Sequence, residues 1–174
     1  MINNHGVDPL VARAYTESLR KHLSYVLDAG QRLGVPQQQL LDHDQSKWES
    51  AEFAAYAHHF YGDDDPQDFA RAMLHHFHHN PHHWEHWIFP NGFTPKGSEN
   101  GVIEMPRPYA LEMVADWLGA SMAFTGSWDM TEWLTKHLPL IVVHSRTAAY
   151  LADVLVSIGY EDVVKGAMFA KLRV

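Results

Sequence analysis

The sequence predicts an all-α protein: a helical bundle interrupted by one long loop. Three observations carry this expectation. Apolar residues recur at spacings of three and four, proline and glycine mark where the pattern starts and stops, and the two-residue alternation of strands is scarce. The 174 residues read as one domain, 1–174, long enough to bury a real core, and 46% hydrophobic against 20% charged suits an ordered globular chain.

The first helix opens at Asp8-Pro9, an N-cap followed by proline at the first helical position. Val11, Tyr15, Leu19, His22 and Val26 then keep helical spacing to about Leu33, and Gly34 stops it. A second helix is expected from Gln37 through Leu41 and Asp44 to Trp48, and a third through Phe53, Tyr56 and Phe60 to Gly62. Asp65-Pro66 opens a fourth, which Pro81 breaks or kinks. The stretch 88–108 holds seven prolines and glycines between Pro90 and Pro108, so it reads as a loop with a short hairpin, placed to act as a lid. Helices resume at about 107–124, 129–137, 140–158 and 161–171. Trp128, Trp133 and the apolar C-terminal helices form either core or a homo-oligomer face.

Several classes are disfavoured. The net charge is −8 with no cluster of lysine and arginine, which argues against a nucleic-acid binder. Cysteine is absent, excluding disulfides, thiolate metal sites and cysteine nucleophiles. MINNHGVDPLVARAY lacks an apolar signal core, and no apolar run reaches membrane-spanning length, so a cytoplasmic protein without membrane partners is expected.

Chemistry begins with His22 on the apolar face of the first helix, either a core histidine or a ligand. The adjacent His43 and Asp44 sit on the expected second helix, about 100° apart in azimuth, and can converge on one ion lodged between helices. An imidazole and a carboxylate suit a divalent cation. Asp116 lies among Met113, Trp117, Ala120 and Ala123, and a carboxylate in apolar surroundings requires a metal or a strong donor. Glu112, one turn earlier, is read as facing solvent.

The segment from His22 to Lys47, HLSYVLDAGQRLGVPQQQLLDHDQSK, resembles the opening of the HD-domain metal-dependent phosphohydrolase superfamily. His43-Asp44-Gln45-Ser46-Lys47 fits its HD-x-x-K element, and EMVADWLGA resembles the segment that carries its distant aspartate. HDQSKW, NPHHWEHW and EMVADW together also look like an HD-like family of unassigned substrate. The resemblance implies a helical fold and a metal set of His22, His43, Asp44 and Asp116. The interval between His22 and the His-Asp pair is shorter than in many members. A further acid after the pair often helps to activate water, and Glu49 and Glu52 are the nearby candidates, neither assigned.

Between the His-Asp pair and Asp116 lies LHHFHHNPHHWEHW, half histidine. Superfamily members with two metals add histidines here, so His76 and His83 are expected as further ligands. His75, His82 and Asn80 are expected to face substrate, and His58 and His59 are alternatives for an inserted ligand. Trp84 and Trp87 suit a pocket wall or a core.

The expected function is cleavage of a phosphate ester, of a nucleotide or similar small molecule, by water activated at one or two divalent ions (Mn, Fe, Co, Mg, Ni and Zn not distinguished). Asp44 and Lys47 are the expected catalytic residues. Lys47 shares a helix face with Asp44 and can reach phosphate, as can Arg146 unless it forms a surface ion pair. Lys96 and Arg107 are the basic residues of the loop. The alternatives are a di-iron oxygenase of HD type and a non-catalytic histidine-rich metal-binding protein.

Overall fold

Asp8 caps the first helix as expected, its carboxylate accepting from Leu10 N at 2.8 Å, and Gly34 closes that helix in the left-handed conformation, φ 79°. The computed structural model describes residues 5–90 and 92–166. Eight α-helices form there: α1 (Pro9–Leu33), α2 (Gln37–Asp42), α3 (Phe53–Tyr61), α4 (Pro66–His79), α5 (Arg107–Thr125), α6 (Thr131–His137), α7 (Ser145–Ser157) and α8 (Glu161–Gly166). The fold is an all-α bundle. Residues 167–171 of the last expected helix, and the first four residues of the N-terminal segment, lie outside the described residues.

The centre of the bundle is α1 against α5, the most extensive helix pair. Their approach depends on Gly119: a Cβ there would lie 2.5 Å from Val26 Cγ2 and 2.7 Å from Val26 N. No side chain fits, so the two backbones meet. That contact brings Asp116, one turn before Gly119, against His22, one turn before Val26. One apolar cluster gathers Tyr15, Leu19, Phe53, Tyr56 and Ala72 from α1, α3 and α4. Another joins Met113 and Val114 of α5 to Leu134, Leu138, Leu151 and Leu155. Burying each such large side chain is worth roughly 1.5–3 kcal/mol, which holds the helices around the polar residues between them.

Two expectations about the elements are corrected. The second helix does not continue to Trp48. It ends at Asp42, His43 leaves it with φ −54° and ψ 128°, Asp44 turns left-handed at φ 57°, and Gln45–Trp48 form a 3₁₀ turn. Aspartate tolerates that conformation better than most residues. What holds it there is the complete burial of the Asp44 side chain among histidines, contacts that a continuous helix would point elsewhere. The stretch 88–108 is also anchored rather than free. Phe89 N donates to Gly101 O, Ile103 N to Trp87 O, and Val102 and Met105 are buried. Two isolated antiparallel bridges, Ile88 to Val102 and Glu99 to Val102, stand among the described residues where the hairpin was expected. Glu99 further ties the loop to Ser145 at the start of α7. Among the described residues no helix is long and apolar enough to cross a membrane.

Candidate metal centre

Four segments deliver histidines and carboxylates to one buried point. α1 contributes His22, and the exit of α2 contributes His43 and Asp44. The end of α4 and the turn after it contribute His76, His82 and His83, and α5 contributes Asp116. The turn exists because Asn80 precedes proline and is held extended, φ −119° and ψ 96°. Asn80 donates to Ser46 Oγ at 2.7 Å and to His76 O at 2.8 Å, clamping the end of α4 to the 3₁₀ turn beside Asp44. The chain then doubles back, and His83 Nε2 comes to 2.9 Å from His76 Nε2.

The atoms fall into two groups that share Asp44. Asp44 Oδ2 lies 3.4 Å from His22 Nε2 and 3.5 Å from His43 Nε2, and Asp116 Oδ1 lies 3.2 and 3.5 Å from the same two nitrogens. On the other side, Asp44 Oδ1 lies 3.2 Å from His76 Nε2 and 3.5 Å from His82 Nε2, with His83 completing the group. Four ligands about 2.1 Å from one ion, arranged tetrahedrally, stand about 3.4 Å from each other. The observed separations therefore fit donors aimed at a common cation. Hydrogen bonding does not account for them: His22 Nε2, His43 Nε2, His82 Nε2 and Asp44 Oδ1 are all buried without a hydrogen-bond partner. Such atoms are costly to bury unless something binds them. Both groups can hold a metal ion.

A second ring of contacts fixes the imidazoles. Glu112 Oε1 accepts from His43 Nδ1 at 2.8 Å and His82 Nδ1 at 3.2 Å, one ring from each group. Glu52 Oε2 accepts from His76 Nδ1 at 2.8 Å, and its Oε1 from His75 Nδ1 at 2.7 Å. With Nδ1 donating to a carboxylate, the neutral form of each ring presents its Nε2 lone pair, the arrangement in which carboxylates orient metal-binding histidines. Gln39 donates to the other oxygen of Glu112. His43, His82 and Glu112 also form a compact triad, but its Nδ1–carboxylate distances are those of hydrogen bonds, so it serves as support for the two groups.

Charge follows the same plan. Burial opposes ionisation of Asp44 and Asp116, yet His43 and Lys47 around the first and His22 and His43 around the second hold both well below the usual carboxylate range. Burial likewise works against Glu112, but His43 and His82 bring it down to about 2. His43 is disfavoured as a cation by burial, and the surrounding carboxylates, Asp44 foremost, outweigh this and push it up to about 10. Burial and neighbouring imidazoles push His82 and His83 down, so these two are neutral, as metal ligands must be. The site is thus an ionised carboxylate cage that calls for cations.

Glu112 was expected in solvent and is instead 3% exposed; facing α2 and the turn after α4, it meets two rings. Its spacing to Asp116 on one helix face was the available signal. Glu52, passed over as an acid near the His-Asp pair, is fully buried beneath His75 and His76. Lys47 Nζ donates to Asp44 Oδ2 at 2.6 Å and lies over the Tyr56 ring, so its ammonium is a charge partner of Asp44. His75 rests on Glu52 and stacks on His79, outside both groups. His59 pairs with Asp64 and stacks on Phe69, and His58 likewise joins neither group. Arg146 meets Glu104 at 3.3 Å and, with Arg107, lines a separate depression of about 250 Å³. Lys96 is exposed.

Beside the two groups lies a cavity of about 580 Å³, reached by His83 from one group and Asp116 from the other. Trp84 and Trp133 are among its walls, whereas Trp87 packs on the core and donates to Pro81 O, and Trp128 stacks edge-on against Tyr25. A match to the family of unknown function DUF5662 covers residues 12–157. The chain belongs to this family. The DUF5662 span contains every member of both groups, the two supporting glutamates and the cavity walls. No curated protein and no solved structure matches the chain.

Proposed function

We propose that the protein is a metal-dependent phosphohydrolase that cleaves a small phosphate ester with metal-activated water. One observation carries the reading: the buried carboxylate of Asp44 divides its two oxygens between two sets of imidazoles, and the facing Nε2 atoms of His22, His43 and His82 have no hydrogen-bond partner. The resemblance of HDQSK and EMVADW to HD-type phosphohydrolases supports the same chemistry. His22, His43, Asp116 and Asp44 Oδ2 would hold one ion, and Asp44 Oδ1, His76, His82 and His83 the other. Bound there, divalent ions lower the pKa of water and neutralise a phosphoryl group. Imidazole-rich sets favour manganese, iron, cobalt, nickel or zinc over magnesium, which prefers oxygen.

The protein's own groups set the rest. Glu112 and Glu52 hold three rings in register, and Lys47 keeps Asp44 ionised. Four carboxylates, the buried Asp44, Glu52 and Glu112 and the partly exposed Asp116, would balance two divalent ions, and the Lys47 ammonium would then leave the site net positive toward an anionic ester. The test is purification without a histidine tag or nickel resin, followed by elemental analysis and phosphate-release assays with several metals. Bound metal with phosphate release that disappears in Asp44→Asn is expected. Two irons with colour and oxygen uptake would favour an oxygenase instead. Bound metal with neither reaction would point to a metal-binding protein without catalysis.

A further inference from the structure

We propose that the cavity beside the ion groups selects phosphate monoesters whose alcohol part is an apolar, ring-bearing group, and disfavours nucleoside polyphosphates and sugar phosphates. This rests on the phosphohydrolase reading and adds its substrate class. The cavity lining is of two unlike kinds. His83 and Asp116 bring the ion groups to its surface. Beside them the walls include Trp84, Met113, Trp117, Met130 and Trp133. The Trp117 and Trp133 rings sit 5.3 Å apart, and Trp133 stacks on His137 at 4.5 Å, forming an aromatic surface rather than isolated side chains. At the rim, Phe124 is 67% exposed and stacks on Phe60, itself 46% exposed, which carries the apolar wall outward. Large exposed aromatics that continue a cavity wall are expected where a ligand covers them.

The charge pattern excludes the polyphosphates. Among the described residues, none lining this cavity is lysine or arginine. Lys47 is engaged with Asp44, and Arg107 and Arg146 line the other depression. A single phosphoryl group is met by ions held beside His83 and Asp116. Further phosphates would find no fixed cation, and the carboxylate of Glu85 lines the same cavity. Sugar hydroxyls would face largely tryptophan and methionine, because the Ser121 and Thr125 hydroxyls already donate to backbone carbonyls. Glu85 lines the cavity, and its Oε2 is buried without a hydrogen-bond partner, which leaves one acceptor for a donor on the ring. The volume, about 580 Å³, lies within the roughly 300–1,000 Å³ of single small-molecule sites.

The experiment uses the full chain loaded with manganese and compares naphthylethyl phosphate, glycerol phosphate and ATP. The first two are both alkyl esters, so their leaving groups are alike. Binding of the non-hydrolysable naphthylethylphosphonate and methylphosphonate is measured separately by calorimetry. The expected kcat/KM for the naphthyl ester exceeds that for the other two by about tenfold or more, and the naphthyl phosphonate binds tighter by a similar factor. Trp133→Ala and Phe124→Ala, both at exposed positions, should each reduce that preference several-fold with the unfolding midpoint checked alongside. Phosphate release with no preference for the naphthyl ester overturns the inference and leaves the hydrolase reading standing. Selective phosphonate binding that Trp133→Ala weakens, with no phosphate released from any ester, upholds the ligand class and sinks the hydrolase reading.

Discussion

Replacing Glu112 by glutamine tests whether one carboxylate supports both ion groups. Glu112 Oε1 accepts from His43 Nδ1 at 2.8 Å and from His82 Nδ1 at 3.2 Å, and those rings belong to different groups. Glutamine keeps the shape but loses the charge, and Gln39, which donates to the other oxygen, would tend to hold the amide oxygen on its own side. The amide nitrogen would then face two imidazole N–H groups. One or both rings must rotate or change tautomer, which withdraws Nε2 from its ion. Loss of such an oriented partner costs about 10–100-fold in metal affinity, or about 1.4–2.7 kcal/mol. Because the oxygen is shared, both affinities should fall together. The assay is calorimetric titration of chelator-stripped protein with manganese or zinc, fitted to two sites. Two unchanged dissociation constants, or a change confined to one, would refute shared anchoring.

Asp44→Asn should be more severe, lowering metal content at both groups and abolishing phosphate release, as read by elemental analysis and a phosphate assay. Gly119→Ala places a methyl group 2.5 Å from Val26 Cγ2 and 2.7 Å from Val26 N; it should destabilise the protein by about 1–3 kcal/mol in denaturant unfolding, and a neutral outcome would show that α1 and α5 separate easily. The stripped protein should lose stability at both pH extremes. The depressed carboxyl of Glu112 stabilises the fold above its ordinary value of 4.5, and this is lost as pH falls toward about 2. The raised imidazole of His43 contributes fully below 6.5 and loses its contribution as pH rises toward about 10. A denaturation midpoint that is flat across both windows would contradict the ionic cage. Saturating metal should raise stability by roughly 2.7 kcal/mol per ion bound at a hundredfold excess over the dissociation constant, an increment that chelator reverses; a thermal midpoint unmoved by metal would argue against an ion in either group.

The helices were legible because their signals are local. Asp8-Pro9, Gly34, Asp65-Pro66 and the three-and-four spacing between them specify caps and an apolar face within a few residues, and α1, α3 and α4 follow those marks closely. The grouping of His22, His43, Asp44 and Asp116 came instead from the resemblance of HDQSK and EMVADW to HD-type proteins, and the structure brings these four side chains together. The break after Asp42 was not legible, since QQQLLDHDQSKW has acceptable helical character throughout and the turn is imposed by what Asp44 touches.

What the sequence determined by itself was the helical class and the order of the elements; its resemblance supplied one set of four donors, with His76 and His83 as further candidates. Only the tertiary structure decided that the turn after Asn80 folds back and brings His82, expected to face substrate, together with His83 to the second oxygen of Asp44. It also decided that Glu112 and Glu52 lie inside, and that Arg146 pairs elsewhere. The reason is one of range. Helical periodicity is written in neighbours three and four residues apart, whereas a carboxylate that meets two rings from distant segments depends on how α1, α2, α4 and α5 pack, and burial of a charge depends on which partners that packing supplies.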